Sequence, residues 1–247
     1  MSFYYPVNNL PLAGKILVVP VVSAANVSQL AADLLIASLD LKRIGLFDSK
    51  YLVSVIGPRD EGDGVTTALE LYGRDGVDVV SQKEQFLAAL LGFIADSDFS
   101  TILFLAGVDV SNRTDEQMAA PTYYLKPSNS PAWDNSPLKT ISALQIPAYT
   151  TPVPQYPLSP ASELPVPFIP GGGLTRRILS ALPPAFGTPA AALLQFVAEG
   201  DNRTDAAFMA AVTAKVVGLE GKIGEWMQPK SWEEGLFGSP QDQTLYG

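Results

Sequence analysis

Three short stretches of this chain carry residue types that could do chemistry. The first is Gly171-Gly172-Gly173-Leu174-Thr175, followed by Arg176 and Arg177. A glycine loop that opens a helix turns backbone N–H groups toward an anion, and two arginines add positive charge. The run lacks the Gly-Lys-Ser/Thr ending of a P-loop and the spacing of a dinucleotide fingerprint. Its plainer reading is a tight turn where backbones approach closely. The second stretch, Glu199-Gly200-Asp201-Asn202, follows a strand-like run, where α/β ligand sites sit. Its two carboxylates suit a cation or acid–base work; more ordinarily, Gly200 turns the chain and Asp201 or Asn202 caps the next helix. The third is the C-terminus, Leu245-Tyr246-Gly247, behind a polar run from Ser239 to Thr244. It reads either as a frayed end or as a recognition tail. In the latter, the carboxylate meets a lysine or backbone donors, the phenol hydrogen-bonds and Leu245 fills a small pocket. Nearby, Trp226, Trp232 and Phe237 are expected to fold the C-terminal segment back onto the domain; aromatic residues also serve as interface anchors.

What is missing narrows the chemistry more than what is present. The chain has no histidine and no cysteine. Cys/His zinc sites, Ser-His-Asp triads and thiolate nucleophiles are excluded. Carboxylate or lysine chemistry stays open, but no metal and no cofactor are expected. The formal net charge is -9, which disfavours nucleic acid and anionic membrane surfaces. Apolar residues make up 47% and charged residues 17%, the balance of a folded globular protein. The longest apolar runs, such as Ile16 to Val22, are too short to span a bilayer. The absence of cysteine and of a basic-then-apolar leader sets the expectation of a reducing compartment, cytoplasm or nucleus. On that expectation, the sequons at Asn26, Asn112 and Asn202 are chance matches.

The elements that must position these stretches follow an α/β pattern. Lys15 to Val22 reads as a strand buried on both faces, ending or bending at Pro20. Asn26 is a plausible N-cap for a helix burying Val27, Leu30, Ala31, Leu34 and Leu35. Arg43–Phe47 and Tyr51–Ile56 read as strands, separated by a turn at Asp48-Ser49-Lys50. Pro58 to Gly64 is a polar loop. Ala68–Tyr72 and Val77–Val80 suit a hairpin. Ser81 to Glu84 is a capping-box pattern before a helix with Phe86, Leu87, Leu90, Leu91 and Ile94 on one face. Thr101–Leu105 is a further buried strand. Twelve of the 21 prolines then fall between Pro121 and Pro170. Long helices and central strands are excluded there, so extended chain over the surface is expected. Scarce charge in this stretch implies partial packing, on the domain or on a partner. Regular structure resumes with a helix over Thr175–Leu182 and a strand over Ala190–Val197. A last helix, capped by Thr204 or Asp205, carries Phe208, Val212, Val216 and Leu219 on one face. This order is that of a single three-layer α/β/α sandwich over residues 1–238, with a proline-rich insertion at about 121–170 and a tail over 239–247.

Four separated blocks resemble the proteasome assembly chaperone 2 family. The first runs through Leu12-Ala13-Gly14, Pro20-Val21-Val22-Ser23, Asn26 to Leu34, and Lys42-Arg43-Ile44-Gly45. The second is Ile169-Pro170-Gly171-Gly172-Gly173-Leu174-Thr175, and the third runs from Leu193 to Asn202. The fourth is Pro229-Lys230-Ser231-Trp232 with Leu236-Phe237-Gly238. The likeness covers roughly the first 57 and last 80 residues, whereas Pro58 to Pro167 matches poorly. It implies a fold like that of the nucleoside phosphorylases, without catalysis, and an obligate partner, proteasome assembly chaperone 1. It further implies that the pair caps the outer face of the proteasome α-ring during 20S core assembly. Tails of the form hydrophobic-Tyr-any would then dock between α-subunits, and Leu245, Tyr246 and Gly247 match that form. Gly171, Gly172, Gly173, Trp232 and Phe237 are structural or interface candidates. Two competing readings remain: a nucleoside or phosphate binder or enzyme using Gly171 to Gly173 near Arg176, and a scaffold presenting Pro152 to Pro160 to groove-type domains.

Overall fold

The computed structural model describes residues 2–8, 10–48, 57–58, 65–67, 69–74, 77–80, 87–152, 166–184 and 186–232. Its strands are β1 (Tyr4–Pro6), β2 (Ile16–Pro20), β3 (Lys42–Phe47), β4 (Gly57–Pro58), β5 (Val65–Thr66), β6 (Glu70–Arg74), β7 (Val77–Val80), β8 (Thr101–Asp109), β9 (Thr122–Leu125) and β10 (Ala190–Val197). The helices are α1 (Val27–Ser38), α2 (Leu87–Asp96), α3 (Thr140–Ala143), α4 (Gly173–Ser180) and α5 (Arg203–Val216). Eight strands form one sheet in the order β1-β3-β6-β7-β2-β8-β10-β9. Strands β7, β2, β8 and β10 run parallel, while β1, β3, β6 and β9 join antiparallel toward the edges. Among the described residues no helix is long and apolar enough to cross a membrane.

The central strands are apolar nearly throughout because both faces of the sheet are covered. In β8, Ile102, Phe104, Ala106 and Val108 enter one core, and Leu103 and Leu105 enter the other. Strand β10 divides likewise, Leu194 and Phe196 against Leu193 and Val197. This is the period-two alternation of a strand between two layers. Helices α2 and α4 close the first core through Leu90, Phe93, Ile94, Ile178 and Leu179. Helices α1 and α5 close the second through Val27, Leu34, Leu35, Met209 and Val216. The expected three-layer sandwich is the observed fold.

Several local expectations change. Helix α5 packs through Ala206, Met209, Ala210, Thr213 and Ala214, and Phe208 points outward, 45% exposed. Small residues let α5 lie close to α1, so the largest apolar side chain on the helix is not on its buried face. Asn202 occupies the N-cap of α5, in place of Thr204 or Asp205. Asn26 does stand at the N-cap of α1, but in a left-handed conformation with no side-chain cap bond. Strand β8 continues four residues beyond Leu105. The expected strand over Tyr51–Ile56 and the Ser81–Glu84 capping box lie outside the described residues.

In its described residues, 121–152 and 166–170, the proline-rich stretch is built into the fold more than draped over it; residues 153–165, which hold most of the Pro152 to Pro160 segment, lie outside the described residues. Thr122–Leu125 forms edge strand β9 against β10. The outer side of β9 is covered in turn: Tyr124 N–H donates to the Pro147 carbonyl at 2.9 Å, and Tyr149 N–H donates to the Tyr124 carbonyl at 2.7 Å. Ser136 caps the turn before α3, and Leu138 and Ile141 are fully buried in the second core. The prolines still do what their chemistry dictates: among its described residues, the named elements of the stretch are an edge strand, a three-residue 3-10 turn and a four-residue helix.

Candidate functional site

Parallel strands β2, β8 and β10 end side by side, and a crevice of about 400 Å³ opens beyond their carboxyl ends. This is where parallel α/β sheets usually hold ligands. Ser23, Asp109, Gly171, Arg177 and Glu199 line it. The sequence points to Gly171 to Gly173, Arg177 and Glu199; it misses Asp109, because β8 runs four residues beyond the expected end, and Ser23, which joins the crevice only through the side-by-side ends of the strands. The Asp109-Val110-Ser111 turn was the available signal, since an Asp two residues before a Ser forms a local cap.

Most polar groups around the crevice bond to the protein itself. Ser23 Oγ donates to the Val21 carbonyl at 2.9 Å and accepts from Gly107 N–H at 2.7 Å. Ala25 and Asn26 both hold positive φ, 56° and 52°, a conformation costing non-glycine residues about 1–2 kcal/mol. Glu199 Oε1 accepts from Ala25 N–H at 3.2 Å and so ties that strained turn to the end of β10. Asp109 Oδ1 accepts from the Ser111 amide at 2.7 Å and from its hydroxyl. The Ser111 hydroxyl first, then its amide, hold the Asp109 carboxyl below the usual carboxylate range.

The triple glycine divides by position. Gly171 has φ +72, and a Cβ there would lie 3.1 Å from Ala24 Cβ. A Cβ on Gly172 would stand 2.4 Å from Ile169 Cγ2. A Cβ on Gly173 would meet nothing within 4 Å. Two of the three glycines are therefore demanded by packing, as the plainer reading expects. Arg176 turns away and donates from Nε to the Val166 carbonyl at 3.0 Å, while Arg177 faces the crevice. Two carboxylates against one guanidinium make the crevice a poor fit to phosphate.

The second stretch is a cap. Asn202 is buried, and its Nδ2 donates to the Ala198 and Gly200 carbonyls at 3.0 and 2.9 Å. Asp201 accepts from the Arg203 backbone and pairs with its guanidinium, which lowers the Asp201 pKa through the side-chain bond first. Among the described residues no group of three or more His, Cys, Asp or Glu is placed to hold a metal. Two sequons are also structurally engaged: the Asn202 amide as just described, and Ser28 of the Asn26 sequon, whose buried hydroxyl donates to the Val21 carbonyl at 2.6 Å.

The C-terminal arm lies apart from the crevice. Trp232 is buried in the second core, and its N–H donates to the Pro229 carbonyl at 3.1 Å. Trp226, expected to fold back with it, is instead 41% exposed. Phe237, Leu245, Tyr246 and Gly247 lie outside the described residues.

Relatives agree with the likeness read from the blocks. Proteasome assembly chaperone 2 of Xenopus laevis is 28% identical over 250 residues, covering 93% of this chain and 94% of the relative. Proteasome assembly chaperone 2 of Homo sapiens is 29% identical over 271 residues, covering 95% and 96%. The fold is shared with PbaA of Pyrococcus furiosus, an archaeal homolog of proteasome-assembly chaperone, with TM-score 0.62 and 16% identity over 87% of this chain and 86% of that one. The PAC2 family model matches residues 17–216, continuing through the stretch from Pro58 to Pro167 in which the sequence blocks are sparse. With most of its length matched, the chain belongs to the PAC2 family.

Proposed function

We propose that this protein is an assembly chaperone of the 20S proteasome core, working as one half of a pair with proteasome assembly chaperone 1. Its C-terminal Leu245-Tyr246-Gly247 docks between neighbouring α-subunits on the outer face of the α-ring. The observation that carries the reading is the family match over residues 17–216, with relatives matched over 94% and 96% of their own length named as proteasome assembly chaperone 2. Two further features support it. The crevice where a related enzyme would work has its polar groups tied to its own backbone. The buried Trp232 gives the last fifteen residues, 233–247, a fixed starting point. Fifteen residues reach at most about 50 Å, enough for a terminus to enter a pocket on a neighbouring body. A lone tripeptide binds weakly, and a second tail on the partner raises the effective concentration.

Deleting Leu245 to Gly247 tests the docking. With the partner present, affinity for isolated α-rings is expected to fall about tenfold or more, while the thermal midpoint stays unchanged. Undiminished affinity would remove the tail from the mechanism. Recovery of neither α-subunits nor a related chaperone on co-purification would remove the function.

A further inference from the structure

An asparagine that opens a helix ordinarily holds extended backbone, and its side chain accepts from an N–H of the first turn. Asn26 stands at that position on α1 and does neither. Its φ is 52°, its side chain makes no cap bond, and its Oδ1 accepts instead from the Gln29 side-chain amide at 3.4 Å. Ala25 before it is left-handed too, with φ 56° and ψ 16°, and has no polar side chain to ease that conformation. Local preference alone therefore favours a different turn, in which both residues relax and Asn26 caps the helix.

The turn is held as it is from outside. Glu199, exposed just beyond β10, accepts from Ala25 N–H at 3.2 Å. Ser23 Oγ accepts from Gly107 N–H of β8 at 2.7 Å. Ala24 lies over two glycines: a Cβ on Gly107 would stand 2.4 Å from the Ala24 carbonyl oxygen, and one on Gly171 would stand 3.1 Å from Ala24 Cβ. Strained backbone persists only where its surroundings over-determine it, and it gathers at switches and binding sites. The Glu199 bond is long and exposed to solvent, so it is the restraint most readily released.

We propose that the turn between β2 and α1 is a two-state switch with Glu199 as its catch. In the caught state, Ala25 and Asn26 are left-handed and Ala24 lines the crevice beside Gly171. In the released state, Asn26 takes the extended cap conformation and bonds the Ser28 or Gln29 N–H. Ala24 then withdraws, and the crevice deepens over Gly107 and Gly171. Relief of strain and a new cap offset the contacts given up, which keeps the two arrangements close in free energy. The switch does not depend on docking of the tail.

Backbone amide exchange of the full chain, followed by NMR, reads both states. The Gly107 and Asn26 N–H groups bond to Ser23 in the caught state, and the released state protects Ser28 or Gln29 instead. Glu199→Ala is expected to speed exchange at Gly107 and Asn26 about tenfold while slowing it at Ser28 or Gln29. Glu199→Gln keeps an acceptor and should stay within about threefold of the native rates. Ala25→Gly, which adopts positive φ without strain, is expected to slow Gly107 exchange about threefold and to return the Glu199→Ala rate to within about threefold of native. Unchanged Gly107 exchange in Glu199→Ala overturns the catch. Faster exchange at Gly107, Asn26, Ser28 and Gln29 alike is fraying of α1 and overturns the second state. Faster Gly107 exchange in Ala25→Gly overturns the stored strain. Should Glu199→Ala lower the thermal midpoint, the direction of the Ala25→Gly effect decides alone.

Discussion

At the carboxyl edge of the sheet, polar side chains turn inward and bond to backbone; along the arm from Trp226 to Trp232, one ring is buried and the other stands in solvent. The crevice has the position of an active site and the internal bonding of a structural joint. The arm has the plainer position, yet it leaves Trp226 and Met227 exposed, side chains of the kinds enriched at interfaces. Location in a familiar fold thus marks where chemistry is possible, while the bonding of each group decides whether it is available.

The sharpest way to break this comparison is Trp232→Ala. If the arm is an integral part of the second core, removing a large ring that is 3% exposed costs about 3–5 kcal/mol. For a chain of this length the thermal midpoint falls by about 10 °C, measured by calorimetry or circular dichroism. An unmoved midpoint would make the arm an appendage and remove the fixed origin assigned to the tail.

A smaller effect separates the glycines of the crevice. Gly172→Ala places a methyl against Ile169 and should cost about 1–3 kcal/mol. Gly173→Ala meets open space at the first turn of α4 and should be neutral within about 0.5 kcal/mol. Denaturant titration of the two variants reads the difference directly. Equal costs would mean that the run acts as a flexible unit and that the crevice is less tightly joined than its hydrogen bonds imply.

Legibility in the sequence followed the number of faces a segment buries. Strands β2 and β10 and helix α1 were readable because near-continuous apolar runs or a helical stripe leave few alternatives. The buried face of α5 was readable in part: Val216 and Leu219 pack into the second core and Val212 against it, as expected, but alanines and Met209 carry much of the rest while Phe208 looks outward, so residue size is a poor guide where two helices pack closely. The cap of α5 has two readings, and Asp201 or Asn202 prevails over Thr204 or Asp205: Asn202 stands at the N-cap and bonds the carbonyls behind it, while Asp201 accepts from the Arg203 N–H ahead. The crevice was half visible. Its glycines and Glu199 stand out as composition, whereas Ser23 and Asp109 join it only when three distant strands end together. The second-core packing of the proline-rich stretch was hidden for the same reason, because Leu138 and Ile141 find their neighbours across the fold.

The smallest expected effect concerns the Asp109 carboxyl. Hydrogen bonds from Ser111 lower its pKa in the folded protein relative to the unfolded chain. A depressed carboxylate stabilises the fold at pH above its unfolded value, and that stabilisation disappears as pH falls through the folded value. Asp109 stands at the open rim of the crevice, so solvent screens the effect and only a slight change is expected. Ser111→Ala should move the Asp109 titration, followed by NMR, upward toward the ordinary carboxylate value while leaving that of Asp201 in place. Asp201 owes its own lowered pKa to Arg203, on the far side of the β10 turn. If both titrations shift, the two carboxylates share one field, and the crevice is an electrostatic unit able to select a charged ligand. If Asp109 alone moves, each acid serves its own turn, and the crevice carries no shared field for a charged ligand.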